Sequence, residues 1–306
     1  MDHELALLLE AQSGALASTT AIALGIHPRA IAVAAECGEL LRVRRGAYVE
    51  AAVVARSRPE TAYALKVRAV VMSRPPNNGA CHHAALAIRG LPLWQVNLNR
   101  FDVVGDVTIQ TSESGLMVHP RDDLPLVLVG DTHAVPVAVA LTQLARTAPL
   151  SAAVVSADAA LHRGLCTVDA LSERIDTCSS NRVRRRLGRF LDAVDGASES
   201  VGESRTRLVL SAAGLQVASQ VEIHDGTEFV ARVDLLVGAR VILEFDGALK
   251  YADDPTGLTL FKEKLREDRL RALGFVVVRV TWSDLANPAR LLARVHAALA
   301  AAKRSA

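Results

Sequence analysis

Between residues 217 and 245 the chain passes through three apolar, β-prone stretches, 217–224, 228–237 and 241–245, separated only by Asp225-Gly226-Thr227 and Gly238-Ala239-Arg240. Connections this short cannot carry a crossover, so consecutive strands must lie side by side as an antiparallel meander. The flanks read as helices. ESRTRLVLSAAG precedes the meander, and 258–273 follows it with Phe261 and Leu265 on one face, charged side chains largely outside it, and Gly274 as its stop. The strand FVVVRVTW and a last helix over 288–302 complete an α-β-β-β-α-β order. The chain is therefore expected to be α/β, with this terminal domain spanning 197–306 after the small, polar DGASESVG stretch.

Two further segments precede it. In 1–55, Ser18 is placed to cap a short helix, Gly25 to turn the chain, Pro28 to open a second helix and Gly38 to end it. ELLRVRRGAYV then reads as a basic hairpin turning at Arg45-Gly46, so that this segment has the pattern of a helix-turn-helix with a wing. Arg42, Arg44 and Arg45 on the wing are candidates for phosphate contacts, and Arg29 on the second helix for reading base edges. The middle segment, 56–196, mixes helices near 59–71, 84–88, 137–145 and 151–162 with strands near 103–109 and 115–119. Within it Cys81, His82 and His83 are adjacent, but neighbouring histidines point different ways, and AALAIRG after them looks like an ordinary helix. Asp158 and His162 are four apart on a helix, a spacing that favours a structural contact over acid–base work. The arginines from Arg182 to Arg189 read as a solvated helix face.

Carboxylates interrupt the meander. Asp234 breaks the run Val233 to Val237, where an unpaired charge would be costly. If Gly238, Ala239 and Arg240 form a three-residue loop, Asp234 lies opposite Glu244, with Asp246 on the same face; a two-residue loop would turn Asp234 to the other side. Carboxylates gathered in this way repel one another unless a cation lies between them, and hard oxygen donors suit Mg²⁺ or Mn²⁺. Lys250, just beyond the strand, would offer a positive charge to a water or a phosphate, and helix lysines such as Lys262 or Lys264 could serve instead.

Charge and composition narrow the setting. Net charge is only +2, so the local arginine clusters matter more than the total. No window approaches eighteen uninterrupted apolar residues, and MDHELALLLEAQSG is acidic where a secretion signal is basic. The four cysteines form no CxxC pair, which points to reduced thiols in a cytoplasmic protein with no membrane partner.

The element order, with Glu203 in the first helix, VDLLV around Asp234, LEFDGALKY around Glu244 and EKLREDRLRALGFVVVRVTW, resembles the restriction-endonuclease-like PD-(D/E)XK superfamily, in its branch related to very-short-patch repair endonucleases. The resemblance implies Asp234 and Glu244 as metal ligands, Glu203 as accessory ligand or base, and Lys250 in place of the motif lysine. Asp246 stands where that motif has its lysine. The first segment is similar to the winged-helix domain at the start of AbiEi-type antitoxins, RRGAY being its most telling part. Together these imply a hydrolase: a DNA-binding protein with a magnesium-dependent endonuclease domain acting on duplex DNA. The alternative is a non-enzymatic transcriptional regulator, a toxin-antitoxin component whose nuclease fold is degenerate and meets a cognate toxin or another protein.

Overall fold

The computed structural model describes residues 1–247 and 258–304. Lys250 lies outside the described residues, as does the side chain of Lys262. The chain separates into two compact units, Met1–Ser156 with Gly164–Asp192, and Ala157–Arg163 with Ala193–Ala306. Most of residues 1–196 thus fall in one unit, with 157–163 and 193–196 in the other. No described helix is long and apolar enough to cross a membrane.

The first unit opens with α1 (His3–Ala11), β1 (Ala15–Ala17), α2 (Ser18–Ala23), α3 (Pro28–Glu36), β2 (Leu40–Arg44) and β3 (Ala47–Glu50). The strands form a three-stranded antiparallel sheet in the order β1-β3-β2. Gly46 makes the hairpin turn at φ +80°, a conformation that favours glycine. Ser18 is not a cap, contrary to expectation. It is the first residue of α2, and extended Ala17 stands at the cap without a side-chain hydrogen bond, because β1 runs straight into the helix. At α3 the capping group is His27, whose Nδ1 accepts the Arg29 amide at 3.1 Å. Leu5, Leu9, Leu16, Ala21, Ile26, Ile31, Ala34 and Leu40 close a small core beneath these elements.

The same unit continues with α4 (Ala51–Arg56), α5 (Pro59–Met72), β4 (Gly79–Ala80), α6 (His82–Ala87), β5 (Phe101–Gly105), β6 (Thr111–Glu113), β7 (Leu116–Pro120), β8 (Val127–Val129), β9 (Thr132–Ala134), α7 (Val137–Thr147), α8 (Leu150–His162), α9 (Val168–Asp176) and α10 (Asn181–Ala193). Its six strands order as β6-β7-β5-β4-β9-β8, with β5–β7 and β4–β9 parallel. The strand expected over 103–109 is β5, which ends at Gly105; a Cβ there would fall 2.3 Å from Asn78 Oδ1.

The second unit takes the end of α8 and adds α11 (Val201–Ala212), β10 (Val217–Asp225), β11 (Glu228–Val237), β12 (Val241–Phe245), α12 (Leu258–Ala272), β13 (Val276–Val280), α13 (Trp282–Ala286) and α14 (Pro288–Arg304). The sheet order is β10-β11-β12-β13: the first three strands are antiparallel, and β13 joins β12 in parallel through the α12 crossover. Each face buries its own cluster. Leu235, Val237, Val241 and Leu243 meet Leu210, Leu285, Leu291 and Val295 of α11, α13 and α14, whereas Val233 and Ile242 meet Leu270 of α12. Three layers result, and the expected α/β class holds.

The α11 N-terminus approaches β12 closely enough to demand glycine. A Cβ on Gly202 would sit 2.2 Å from the Phe245 ring, which is itself held edge-on to Trp282 at a 4.8 Å centroid distance. Gly202→Ala is therefore expected to cost about 1–3 kcal/mol by overpacking. Urea denaturation would measure it, and an unchanged midpoint would mean that the ring yields freely.

Candidate functional site

The β11–β12 connection settles the register. Val237 pairs with Val241, Leu236 with Ile242 and Leu235 with Leu243, so Gly238, Ala239 and Arg240 form a three-residue loop and the next pair across is Asp234 and Glu244. There the ladder gives way to a side-chain contact, with Asp234 Oδ2 accepting the Phe245 amide at 2.8 Å. On the other flank, Ser219 pairs with Leu235 and Val221 with Val233, which brings Gln220 level with Asp234. Gln220 has φ +52°, strained for a residue with a side chain, and its Nε2 donates to Glu203 Oε2 at 2.9 Å. Gln220, Asp234 and Glu244 are therefore level on neighbouring strands, and Glu203 of α11 is joined to them through Gln220, a row of three carboxylates and one amide.

Glu203 is built in from α11. Its amide donates to Ser200 Oγ at 3.1 Å, and its own Oε2 takes the Glu199 amide at 3.0 Å. This acid at the third helical position is also a capping residue. Burial raises its pKa first, opposed by the hydrogen bonds from Glu199 and Ser200, and the nearby charge of Asp234 raises it further. Glu244 is half-buried, with Oε2 3.2 Å from Arg266 Nη2 on α12. Asp246 lies past the end of β12, with its amide bonded to the Val280 carbonyl at 2.8 Å.

The expected convergence of Asp234, Glu244 and Asp246 is not drawn up to ion-binding distance. Asp234 is engaged by the Phe245 amide and Glu244 by Arg266. Among the described residues, the cluster of three ligand atoms within 4.8 Å of one another is Cys81, His82 and His119, in the other unit. Sequence reasoning missed Gln220 and the role of Arg266. A polar residue within β10 was the only available signal for the first, and nothing in helical periodicity singles out one arginine of α12 for the second.

In the first unit, Arg29 is exposed at the start of α3, and Arg42 and Arg45 are exposed on the hairpin. Arg44 is engaged instead. Its Nη1 donates to the carbonyls of Glu113 and Ser114 at 3.0 and 2.6 Å, tying the hairpin to the β6–β7 turn. The α10 arginines divide similarly: Arg186 donates to the Ala145 carbonyl at 2.6 Å and Arg184 to that of Cys178 at 2.7 Å, while Arg182, Arg185 and Arg189 are exposed. Asp158 and His162 do not form an acid–base pair. Asp158 is fully buried against Arg207, and His162 is exposed.

No family model matches the chain. It is similar to two uncharacterized proteins of Mycobacterium tuberculosis, MT2308 (strain CDC 1551 / Oshkosh) and Rv2248 (strain ATCC 25618 / H37Rv). Each is 30% identical over 187 residues, covering 59% of this chain and 67% of the relative.

Proposed function

The chain belongs to one family with these two mycobacterial proteins, and we propose that it is a cytoplasmic DNA-binding protein carrying a metal-dependent endonuclease domain. The observation that carries this reading is the row Glu203–Gln220–Asp234–Glu244, set on the register that a three-residue loop imposes. The α-β-β-β-α-β order of the second unit supports a restriction-endonuclease-like core, and the α1–β3 arrangement of the first supports a winged helix.

The donor set suits Mg²⁺ or Mn²⁺ in its chemistry. It offers hard carboxylate oxygens, and Glu203 is held up first by burial and then by the charge of Asp234 beside it. Asp234 and Glu244 would hold the cation, with Glu203 as accessory ligand or base. Such a cation makes bound water more acidic and stabilises charge developing on a phosphate oxygen. Gln220 orients Glu203 through its hydrogen bond, and the Phe245 amide fixes Asp234. Lys250 would supply positive charge to the scissile phosphate. Arg42 and Arg45 would bind the duplex backbone and Arg29 would reach base edges, with Arg44 bracing the hairpin.

The test is incubation of supercoiled and linear DNA with the full chain and Mg²⁺ or Mn²⁺. Nicking that requires the metal supports the reading, and intact DNA under all conditions overturns it. DNA affinity is expected to fall with salt, and Arg42→Ala and Arg45→Ala are each expected to lower the log–log salt slope by about 1. Binding titrations at several salt concentrations would measure this; unchanged slopes would remove the hairpin from the interface.

One observation favours a second reading. Arg266 lies on Glu244, and the carboxylates are not gathered as ligands. In that reading the protein is a regulator or antitoxin-like factor whose nuclease-type fold recognises a protein partner such as a cognate toxin. DNA binding without cleavage would select it.

A further inference from the structure

A second cluster lies in the first unit, remote in sequence from the carboxylate row. Cys81 is the N-cap of α6, directly after β4, and His82 opens the helix at φ +50°. A left-handed backbone on a bulky residue is costly and persists only where its surroundings demand it. Here that backbone brings the His82 ring onto His119 of β7, at a 4.4 Å centroid distance, with Nδ1 3.2 Å from Cys81 Sγ. Cys81 is fully buried and His82 nearly so.

Asp102 organises the cluster from below. In the parallel β5–β7 pair Asp102 is level with Met117, so His119, two residues on, shares its face. Asp102 is completely buried; Oδ1 takes His119 Nε2 at 2.7 Å and Oδ2 takes Arg100 Nε at 2.8 Å. A neutral His119 ring that donates Nε2–H to the carboxylate carries its lone pair on Nδ1. A carboxylate behind an imidazole is the arrangement that orients metal-binding histidines. His83 is held by other partners: its Nε2 is bonded to the carbonyls of Asn97 and Arg100 at 3.1 and 3.2 Å, its Nδ1 lies 3.4 Å from Asp102 Oδ2, and its ring stacks on Tyr63.

We infer that Cys81, His82 and His119 form a binding site for a zinc-class divalent metal, with Asp102 as the positioning residue of His119. Each offers one ligand atom, and the three lie within 4.8 Å of one another. A tetrahedral zinc ion with bonds of about 2.1 Å to nitrogen and 2.3 Å to sulfur separates its ligand atoms by about 3.4–3.6 Å, so modest side-chain closure completes the set. One thiolate and two imidazoles select zinc, cobalt or a similar borderline ion over magnesium. Three protein ligands leave a fourth position open, and the partly exposed side chain of His119, 16% accessible, marks the way in. The site is independent of the carboxylate row in residues, metal class and compact unit.

The test is titration of the full, chelator-stripped protein with Co²⁺ and Zn²⁺. One Co²⁺ per chain is expected, with a thiolate-to-cobalt charge-transfer band and the intense visible absorption of a four-coordinate ion, both displaced by Zn²⁺. Cys81→Ser should abolish the charge-transfer band. Asp102→Asn should weaken zinc binding by roughly 10–100-fold, as loss of an orienting carboxylate does. Cys166→Ser and Asp234→Ala should leave the spectrum unchanged, which separates this site from Cys166 and from the carboxylate row. If Cys81→Ser fails to fold, the wild-type spectrum and a zinc-dependent rise in melting temperature decide the matter. Absence of a thiolate band in wild type, or a band that survives Cys81→Ser, overturns the proposal.

Discussion

Arg207→Ala is expected to destabilise the second unit by about 3–5 kcal/mol, the scale of leaving one partner of a buried ion pair uncompensated. Arg207 is 8% exposed and Asp158 is not exposed at all. The guanidinium reaches Asp158 Oδ2 through Nη2 at 2.8 Å and the Ala193 carbonyl through Nη1 at 2.8 Å, while Nε lies 3.5 Å from Asp195 Oδ2. Asp158 Oδ1 takes the Asp195 amide at 2.7 Å. One arginine therefore ties the end of α8 and the approach to α11 into a single unit. Burial pushes the Asp158 pKa above the ordinary carboxylate value, and the charge of Arg207 works against that rise. A raised folded pKa contributes stability that is present at low pH and lost as pH rises through the carboxylate range. Without Arg207 the rise is larger, so the deficit of the variant should grow between pH 5 and pH 8. Asp158→Asn on the Arg207→Ala background should recover part of it. Urea midpoints at both pH values would measure this. A deficit below about 1 kcal/mol, the scale of a surface pair, would sink the assignment.

The second large effect concerns the carboxylate row. Asp234→Asn keeps an oxygen to accept the Phe245 amide while removing the charge, so it separates chemistry from folding. Metal-assisted stabilisation of a transition state amounts to several kcal/mol, so loss of this ligand should cut Mg²⁺-dependent nicking by roughly 10³-fold. DNA affinity should be unaffected, because the proposed docking contacts to the duplex are Arg29, Arg42 and Arg45 of the other unit. Melting at neutral pH should not suffer either. The Glu203 carboxyl is held up first by burial and then by the Asp234 charge, and removing that charge relieves it. Metal-dependent nicking that survives Asp234→Asn at wild-type rate would remove Asp234 from the chemistry.

Much of the second unit could be read in the residues themselves. Short connections force adjacent strands to pair, the Asp225-Gly226 and Gly238-Ala239-Arg240 breaks marked both turns, and Gly274 marked the end of α12. These are local effects of chain length and backbone freedom. The first unit was harder. Its hairpin was legible from Arg45-Gly46, but β1 was not, since three residues carry no period. The six-stranded sheet joins β5 to β7 and β4 to β9 in parallel, and pairings of that kind leave no mark on neighbouring residues.

The sequence alone determined that Asp234 would come level with Glu244 if the loop held three residues, because the register counts from the turn, and it left the loop length open. It could not determine what those carboxylates touch. Gln220 beside Glu203 and Arg266 beside Glu244 come from a distorted strand and a crossover helix, and only the packed sheet brings them there. The same holds for Cys81 and His82, which in the sequence stand beside His83 ahead of a run that reads as an ordinary helix. Their significance comes from Asp102 and His119, 17 residues apart, meeting beneath them on parallel strands. Local chemistry sets which groups are available and which face they occupy; burial and long-range pairing decide which of them share a site.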